Sequence, residues 1–355
     1  MVRTRSGAPH RRYVKSFLRV VAFSMLAMVS LVQGHDFCVT TSDELQSALT
    51  ASSFSGAYAN ELNVIHLASG VYHPISTAAG FLYDTMGNMG VFISGGYNAD
   101  CTVLTPQAAL TVLDGQNAGP VLRILGASAM IVVAELTLQN GMGTDEGAGL
   151  SINNYSIDIY THGPIYLSDL IIRNNHSSDG AGGLFVLGAG SQFVLADCLF
   201  EGNSSDNSYG SGVISSAATT TLLYNNTVSR NTVPDNNSSS GGLAFGSTNA
   251  SQVSNNIFWG NTHADFTFSA NTELLTNDYG TIIGTPLVST NNLSVDPAFV
   301  DAAGEDFHLS AASPLIAISI LLEGTDLDGH PHPASGKEDL GAYATTVFIS
   351  GFESD

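Results

Sequence analysis

Basic residues are scarce in this sequence. Lys and Arg number 10 against 31 Asp and Glu, and six of the basic residues lie within the first 19 positions. Without that stretch the chain keeps 4 basic and 31 acidic residues, a formal net charge of −27. Because such a surface repels nucleic acid and anionic lipid, we exclude both as partners. It also repels acidic polysaccharides unless a divalent cation bridges the two.

Charged residues of any kind are few, at 12% of the chain, and there are only 3 cysteines. The 37 glycines, together with abundant Asn, Ser and Thr, are typical of a β protein with many turns. A length of 355 residues allows one large domain or two modest ones.

The N terminus has the pattern of a secretory signal. Six basic residues precede the apolar run Val20–Val32, and small residues precede a predicted cleavage between Gly34 and His35. The run is too short for a membrane-spanning helix, so we expect no membrane span in the mature chain. An uncleaved membrane anchor is the alternative.

Export makes a disulfide between Cys38 and Cys101 plausible, because both lie outside the repeats described next. Cys198 occupies the first position of one repeat. We expect it to be a buried free thiol in line with its neighbours in adjacent repeats.

A six-residue phrase recurs five times, and its copies end 34, 28, 28 and 30 residues apart. A regular internal period indicates a stacked repeat fold. A Gly–hydrophobe pair follows the first four copies, and short apolar strands lie on both sides of the phrase. The copies are Leu136–Gly141, Leu170–Asn175, Cys198–Asn203, Asn226–Asn231 and Asn256–Asn261.

Three short strands per period, with no helical period between them, predict an all-β fold, a parallel β-helix with three strands per coil. The general chirality of parallel crossovers favours the right-handed form. We expect a short N-terminal helix over residues 40–49, begun by Thr41 or Ser42, to cap the open end of the stack.

Asparagine recurs at the sixth phrase position, which predicts a ladder of stacked amides at one corner of the coils. Its members are Asn175, Asn203, Asn231 and Asn261. The pair Asn225 and Asn226 is repeated 30 residues later, which predicts a second ladder at another corner.

The alternation of Gly-Gly-hydrophobe with Phe-x-x-Asn resembles the repeats of polymorphic outer membrane proteins and, more broadly, the pectin lyase-like superfamily. Five motifs between residues 292 and 343 are similar, in their order, to the choice-of-anchor Q module of bacterial surface proteins. The resemblance implies a right-handed parallel β-helix at the surface or outside of a Gram-negative bacterium. The motifs begin at Asn292, Asp306, Ser313, Asp326 and Asp339.

These observations divide the chain into five parts. They are a signal peptide (1–34), a cap with the first coils (35–125), regular repeats (126–290), a choice-of-anchor Q-like module (291–345) and a tail (346–355).

Enzymes of this superfamily cleave polysaccharides, so we sought the groups that such chemistry needs. A uronate lyase needs a basic residue and a cation, for which Arg173 and Arg230, with Glu201, are the candidates. Arg173 and Glu201 share the fourth position in adjacent coils, so we expect them to form an exposed pair. A hydrolase needs two nearby carboxylates, and no spacing selects a pair among Asp145, Glu146, Asp158, Asp169, Asp179 and Asp197.

Asp326 and Asp328 open a sequence that starts like a calcium loop but lacks its later ligands, so a structural turn is the other interpretation. The histidines at 330 and 332 lack further zinc ligands. We therefore expect no cofactor, with calcium as the one alternative.

The sequence thus predicts an exported binding or adhesion module for a polysaccharide or a cell-surface component. The alternatives are a polysaccharide lyase or glycoside hydrolase and a purely structural spacer.

Overall fold

The computed structural model describes residues 34–85, 89–126, 129–144, 146–153, 163–235, 239–319, 325–332 and 336–344. The predicted signal up to residue 33, the tail, Asp145 and Asp158 lie outside these ranges. Gly34 and His35, the predicted cleavage site, directly precede the first strand. None of the helices in the described ranges has the length and apolar character needed to cross a membrane.

The described chain is built from short strands, one α-helix, α1 (Ser42–Ser52), and two 3₁₀ turns at Ala108–Leu110 and Ala302–Gly304. The strands in chain order are β1 (Asp36–Val39), β2 (Asn63–Ala68), β3 (Gly70–Tyr72), β4 (Phe81–Thr85), β5 (Val91–Tyr97), β6 (Thr111–Asp114), β7 (Leu122–Gly126), β8 (Ile131–Gln139), β9 (Met142–Gly143), β10 (Leu150–Asn153), β11 (Ile165–Arg173), β12 (His176–Ser177), β13 (Leu184–Ala189), β14 (Gln192–Ala196), β15 (Leu199–Glu201), β16 (Ser204–Ser205), β17 (Gly212–Ser216), β18 (Thr220–Tyr224), β19 (Thr227–Ser229), β20 (Leu243–Ser247), β21 (Ser251–Ser254), β22 (Ile257–Trp259), β23 (Phe266–Phe268), β24 (Thr272–Leu275), β25 (Asp278–Tyr279), β26 (Ile282–Ile283), β27 (Val288–Thr290), β28 (Phe299–Asp301) and β29 (Asp306–Leu309).

Parallel pairing between successive coils arranges most of these strands on three faces, while β9, β12 and β16 form a separate small sheet and β28 and β29 an antiparallel pair. Face 1 runs β1-β2-β5-β8-β11-β14-β18-β21-β24-β27. Face 2 holds β3, β6, the second halves of β8 and β11, and then β15, β19, β22 and β25. The phrase lies on the five strands from β8 to β22 of this face. Face 3 runs β4-β7-β10-β13-β17-β20-β23-β26. The prediction of a right-handed parallel β-helix with three strands per coil is confirmed.

The core follows from the two-residue period of a strand, which turns alternate side chains inward. The third phrase position always points into the stack, and each of these side chains is almost fully buried. The column comprises Leu138, Ile172, Phe200, Val228 and Phe258. Cys198 is a buried free thiol, as predicted.

The residue just before each phrase makes the bend between face 1 and face 2 in the left-handed conformation, with φ between 53° and 60°. We call this bend the first corner. Asp and Asn tolerate that conformation better than most residues because their short polar side chains bond locally. The first-corner residues are Glu135, Asp169, Asp197, Asn225 and Asn255.

Asparagine amides connect successive coils at the end of the phrase. Asn175 donates through Nδ2 to Asn203 Oδ1, Asn203 to Asn231 and Asn231 to Asn261, each at 2.9 Å. Asn261 then donates to Asp265 at 3.0 Å, which ends the ladder. The four asparagines proposed from the sequence thus form one continuous chain of hydrogen bonds.

A second ladder begins at Asn226, at the first position of the phrase. Its Nδ2 donates to Asn256 Oδ1 at 2.8 Å, Asn256 donates to Asn277 at 2.9 Å, and Asn277 donates to Asn292 at 3.0 Å. The sequence indicated the first two members only.

The N-terminal end of the stack is closed by α1. Thr41 begins the helix with a reciprocal capping box, in which its hydroxyl accepts from the Glu44 backbone and the Glu44 carboxylate accepts from the Thr41 N–H. Leu45 and Leu49 are fully buried in the core. The helix therefore covers apolar surface that the first coil leaves open.

The predicted disulfide between Cys38 and Cys101 is present, with Cα atoms 5.6 Å apart and a sequence separation of 63. Cys38 lies in β1 and Cys101 in the turn after β5. The bond therefore ties the first strand of face 1 to a loop two coils further on.

After the second ladder ends, residues 293–319, 325–332 and 336–344 fold back along the outer side of face 2. We call these residues the C-terminal segment. They cover the outward second position of the phrase, whose apolar members Ile171, Leu199 and Ile257 are all buried. The covering side chains form two clusters with them, and these include Phe307, Leu309, Leu315, Leu327, Leu340 and Ala342.

Candidate functional site

Arg173 and Glu201 are register partners on β11 and β15, but they do not form the expected exposed pair. The Glu201 side chain is only 2% exposed, because the C-terminal segment covers its strand. Arg173 donates instead to Gln139 Oε1 at 2.9 Å and to Glu305 Oε2 at 3.2 Å. The expectation of an exposed pair was wrong because the C-terminal segment, which no repeat pattern predicts, covers this strand.

Arg230 also contacts the C-terminal segment. Its guanidinium donates to the Ala302 carbonyl at 2.6 Å and lies 3.9 Å from Glu201 Oε2. Burial raises the pKa of Glu201 and Glu305 adds to the rise, while the two arginines oppose it. The three residues proposed for catalysis are thus close together, and two of them hold the segment in place.

Asp326 and Asp328 bind different groups of the protein. Asp326 is buried and accepts hydrogen bonds from the backbone N–H groups of Asp328, His330 and Ala344, at 3.1, 2.7 and 3.0 Å. The first two bonds close the turn between Asp326 and His330, and the third connects the turn to Ala344. The Asp328 carboxylate contacts His308 Nε2 at 2.7 Å. Each carboxylate already binds groups of the protein itself.

His308 lies between two carboxylates, with Nδ1 at 2.7 Å from Asp306 and Nε2 at 2.7 Å from Asp328. The Asp328 hydrogen bond raises the pKa of His308, burial opposes it and Asp306 adds to it, giving a value of about 9. A charged imidazolium therefore joins two parts of the C-terminal segment. The described residues contain no group of three or more His, Cys, Asp or Glu arranged to hold a metal ion.

A stack of three carboxylates lies at the first corner, in consecutive coils. It consists of Glu135, Asp169 and Asp197, and we call it the carboxylate corner. Strands of adjacent coils lie roughly 4.8 Å apart, so the three acids are close neighbours. Glu135 and Asp197 are buried and Asp169 is half-buried.

Burial raises the pKa of Glu135 to about 7, and the charge of Asp197 adds to the rise. Burial also raises the pKa of Asp169, helped by the charges of Asp197 and Glu135. The pKa of Asp197 rises by burial too, but hydrogen bonds from His332 and Asn225 oppose it. Like charges at this spacing disfavour full ionisation, so the corner retains protons near neutral pH.

His332 closes the carboxylate corner from the C-terminal segment. Its side chain is 3% exposed, Nε2 lies 3.3 Å from Asp197 Oδ1, and Nδ1 forms an ion pair with Glu338. Asn225 Nδ2 donates to Asp197 at 3.0 Å and to Glu338 at 3.4 Å. Burial alone would lower the pKa of His332, but the bonds to Asp197 and Glu338 outweigh it and raise the pKa to about 10.

The two histidines of the possible zinc motif thus contact different carboxylates, since His330 Nδ1 lies 3.4 Å from Asp326. Of the carboxylates considered in the sequence, Asp169 and Asp197 come together, whereas Glu135 was not considered. The available signal was its position, because residues 135, 169 and 197 each stand immediately before a phrase.

Polar and apolar groups share the outer side of face 3. Arg123 pairs with Glu146 at 3.2 Å, and Ser151 and Asn153 also donate to that carboxylate. Phe185 and Val213 follow Ser151 in the same outward column and are half-buried. This side of the stack therefore presents an aromatic and aliphatic strip beside a fixed ion pair.

No family model and no curated protein matches the chain. Among solved structures, the chain is similar to a crystal structure of pectate lyase Pel9A, with 13% identity and a TM-score of 0.41. The match covers 89% of this chain and 98% of that one. At this identity the likeness gives no information on the chemistry of this chain.

Proposed function

We propose that this chain is an exported, non-catalytic β-helix protein that binds a polysaccharide or another component of a cell surface. The observation that supports the proposal most strongly is the C-terminal segment on the outer side of face 2. It engages Arg173 and Arg230 and buries Glu201, the residues with which a lyase would act on that face. The outer side of face 2, where a substrate of such a lyase would bind, is therefore covered by the protein itself.

Export is part of the proposal. The N-terminal pattern of basic and apolar residues favours secretion. The Cys38–Cys101 disulfide is of the kind that persists in oxidising compartments. The acidic surface suits a protein that must stay soluble outside the cell and avoid anionic lipid.

The binding surface that we propose is the outer side of face 3. Sugar-binding sites combine flat apolar groups with a few fixed polar groups. Phe185 and Val213 offer the apolar strip, while Arg123 and Glu146 are held rigidly by their ion pair. The parallel strands beneath give the strip a fixed, extended shape that matches a linear polymer better than a small ligand.

Retention of the full exported chain on immobilised neutral and acidic polysaccharides and on whole cells tests this function. Phe185→Ala should weaken retention roughly tenfold, the loss expected for about 1.4 kcal/mol of aromatic contact. Phe54→Ala, at a residue 59% exposed near the N-terminal end, is the matched control and should leave retention unchanged. Absence of retention on every surface would contradict binding and leave the structural spacer.

The carboxylate corner supports a second candidate, a glycoside hydrolase or lyase, because carboxylates with raised pKa values concentrate at active sites. The same polysaccharides, with and without calcium, should be assayed for new reducing or unsaturated ends. Asp169→Asn would abolish such an activity, whereas Asp179→Asn at an exposed residue makes the same charge change elsewhere. Products that disappear only in Asp169→Asn would overturn the non-catalytic proposal.

A further inference from the structure

The two ends of the β-helix differ. At the N-terminal end α1 places Leu45 and Leu49 in the core. At the other end β26 and β27 are the last strands of face 3 and face 1, and each pairs with a described strand along one edge only. We call this end, formed by residues 279–292, the distal end. Its unpaired N–H and C=O groups form an open strand edge within the described chain.

The distal end is also apolar and uncharged. Ile283 is 52% exposed, Leu287 58% and Val288 40%, so three large hydrophobic side chains share this small surface. No charged residue occurs from Tyr279 to Val295, in a chain whose formal net charge is −21. Two copies of such an acidic protein repel each other least where the surface has no charge.

We propose that the distal end binds the distal end of a second copy of this chain, forming a two-fold symmetric dimer. In that arrangement β27 runs antiparallel to β27 of the partner, which pairs its free edge and buries Leu287 and Val288. Because the interface uses the same surface twice, it closes at two copies. A head-to-tail contact would need the N-terminal end, which α1 covers, and would grow into an open filament.

This inference is independent of the proposed binding function. The distal end offers 14 residues per copy, fewer than the about 20–30 residues per partner of a standard interface. We therefore expect a dissociation constant of the order of micromolar, with a free energy of about −8 kcal/mol.

Sedimentation velocity of the full exported chain, from about 1 to 100 μM, spans that affinity. The mass should rise towards twice that of one chain, and Leu287→Asp should keep it at one chain across the range, because each dimer would face two new like charges. Val103→Asp makes the same change at a residue 57% exposed elsewhere and should still dimerise. A single-chain mass for the unmodified protein at every concentration would overturn the proposal, as would an undiminished dimer of Leu287→Asp.

A cross-link tests the geometry separately. Ser289 lies at the centre of β27 and is exposed, so Ser289→Cys should form a disulfide between two copies under mild oxidation. The remaining free thiol, Cys198, is buried and should not react. Thr219→Cys, at an exposed residue remote from the distal end, should stay unlinked. A dimer without the Ser289→Cys cross-link would contradict the antiparallel β27 contact.

Discussion

Replacing Asn203 by Ala removes one step of the first ladder. Asn203 is fully buried, and its Nδ2 donates to Ile172 O at 2.8 Å and to Asn231 Oδ1 at 2.9 Å. Its Oδ1 accepts from the backbone N and the Nδ2 of Asn175 at 3.2 and 2.9 Å. The variant therefore loses four hydrogen bonds and leaves buried donors of Asn175 and buried acceptors of Ile172 and Asn231 without this partner. At about 1 kcal/mol for each lost bond, the free energy of unfolding should fall by about 3–5 kcal/mol.

Urea unfolding followed by circular dichroism measures the loss, with Asn207→Ala as the control. Asn207 is exposed and donates to Ser178 O and Asp179 Oδ1, at 3.0 and 2.9 Å, so its removal should cost less than about 1 kcal/mol. The ladder argument fails if Asn203→Ala unfolds at the same urea concentration as Asn207→Ala.

Three further predictions concern titratable and cross-linked groups. The folded pKa of His332, about 10, lies above its ordinary value of 6.5, so its stabilisation is complete below pH 6.5 and is lost as pH rises towards 10. His332→Gln should flatten that part of the stability–pH curve; an unchanged slope would contradict the stabilising contacts of His332 with Asp197 and Glu338. The pKa of Glu135 rises from 4.5 to about 7 on folding, so the free energy of unfolding falls as pH rises through that interval. Glu135→Gln removes this loss. In thermal unfolding the variant should therefore gain more stability over the unmodified protein at pH 8 than at pH 5. Reducing the Cys38–Cys101 bond, which closes a loop of 63 residues, should cost about 4 kcal/mol by loop entropy, and a Cys38→Ser variant should unfold like the reduced protein and be insensitive to reductant.

The repeats could be predicted because their information is local and periodic. Three strands per coil recur every 28 to 34 residues, and one Asn per coil recurs every 28 to 30 residues from Asn175 to Asn261, so the stack and the first ladder follow from spacing. The second ladder was identified only in part, because its later steps, to Asn277 and Asn292, shorten to 21 and 15 residues.

The cover on face 2 could not be predicted in the same way. The contact between His332 and Asp197 joins residues 135 apart, and no period relates them. The burial of Glu201 is a consequence of the same long-range packing. Side chains at an outward strand position therefore looked free in the sequence although the folded chain covers them.

The asparagine ladder restricts how the protein can be produced. Asn175 and Asn203 each begin an Asn-x-Ser triplet, the acceptor of N-linked glycans, yet both side chains are fully inside the stack. In a eukaryotic secretory host, sugar transferred to either residue during synthesis has no room between the coils. Such a host should yield misfolded or degraded chains, whereas bacterial secretion avoids the conflict.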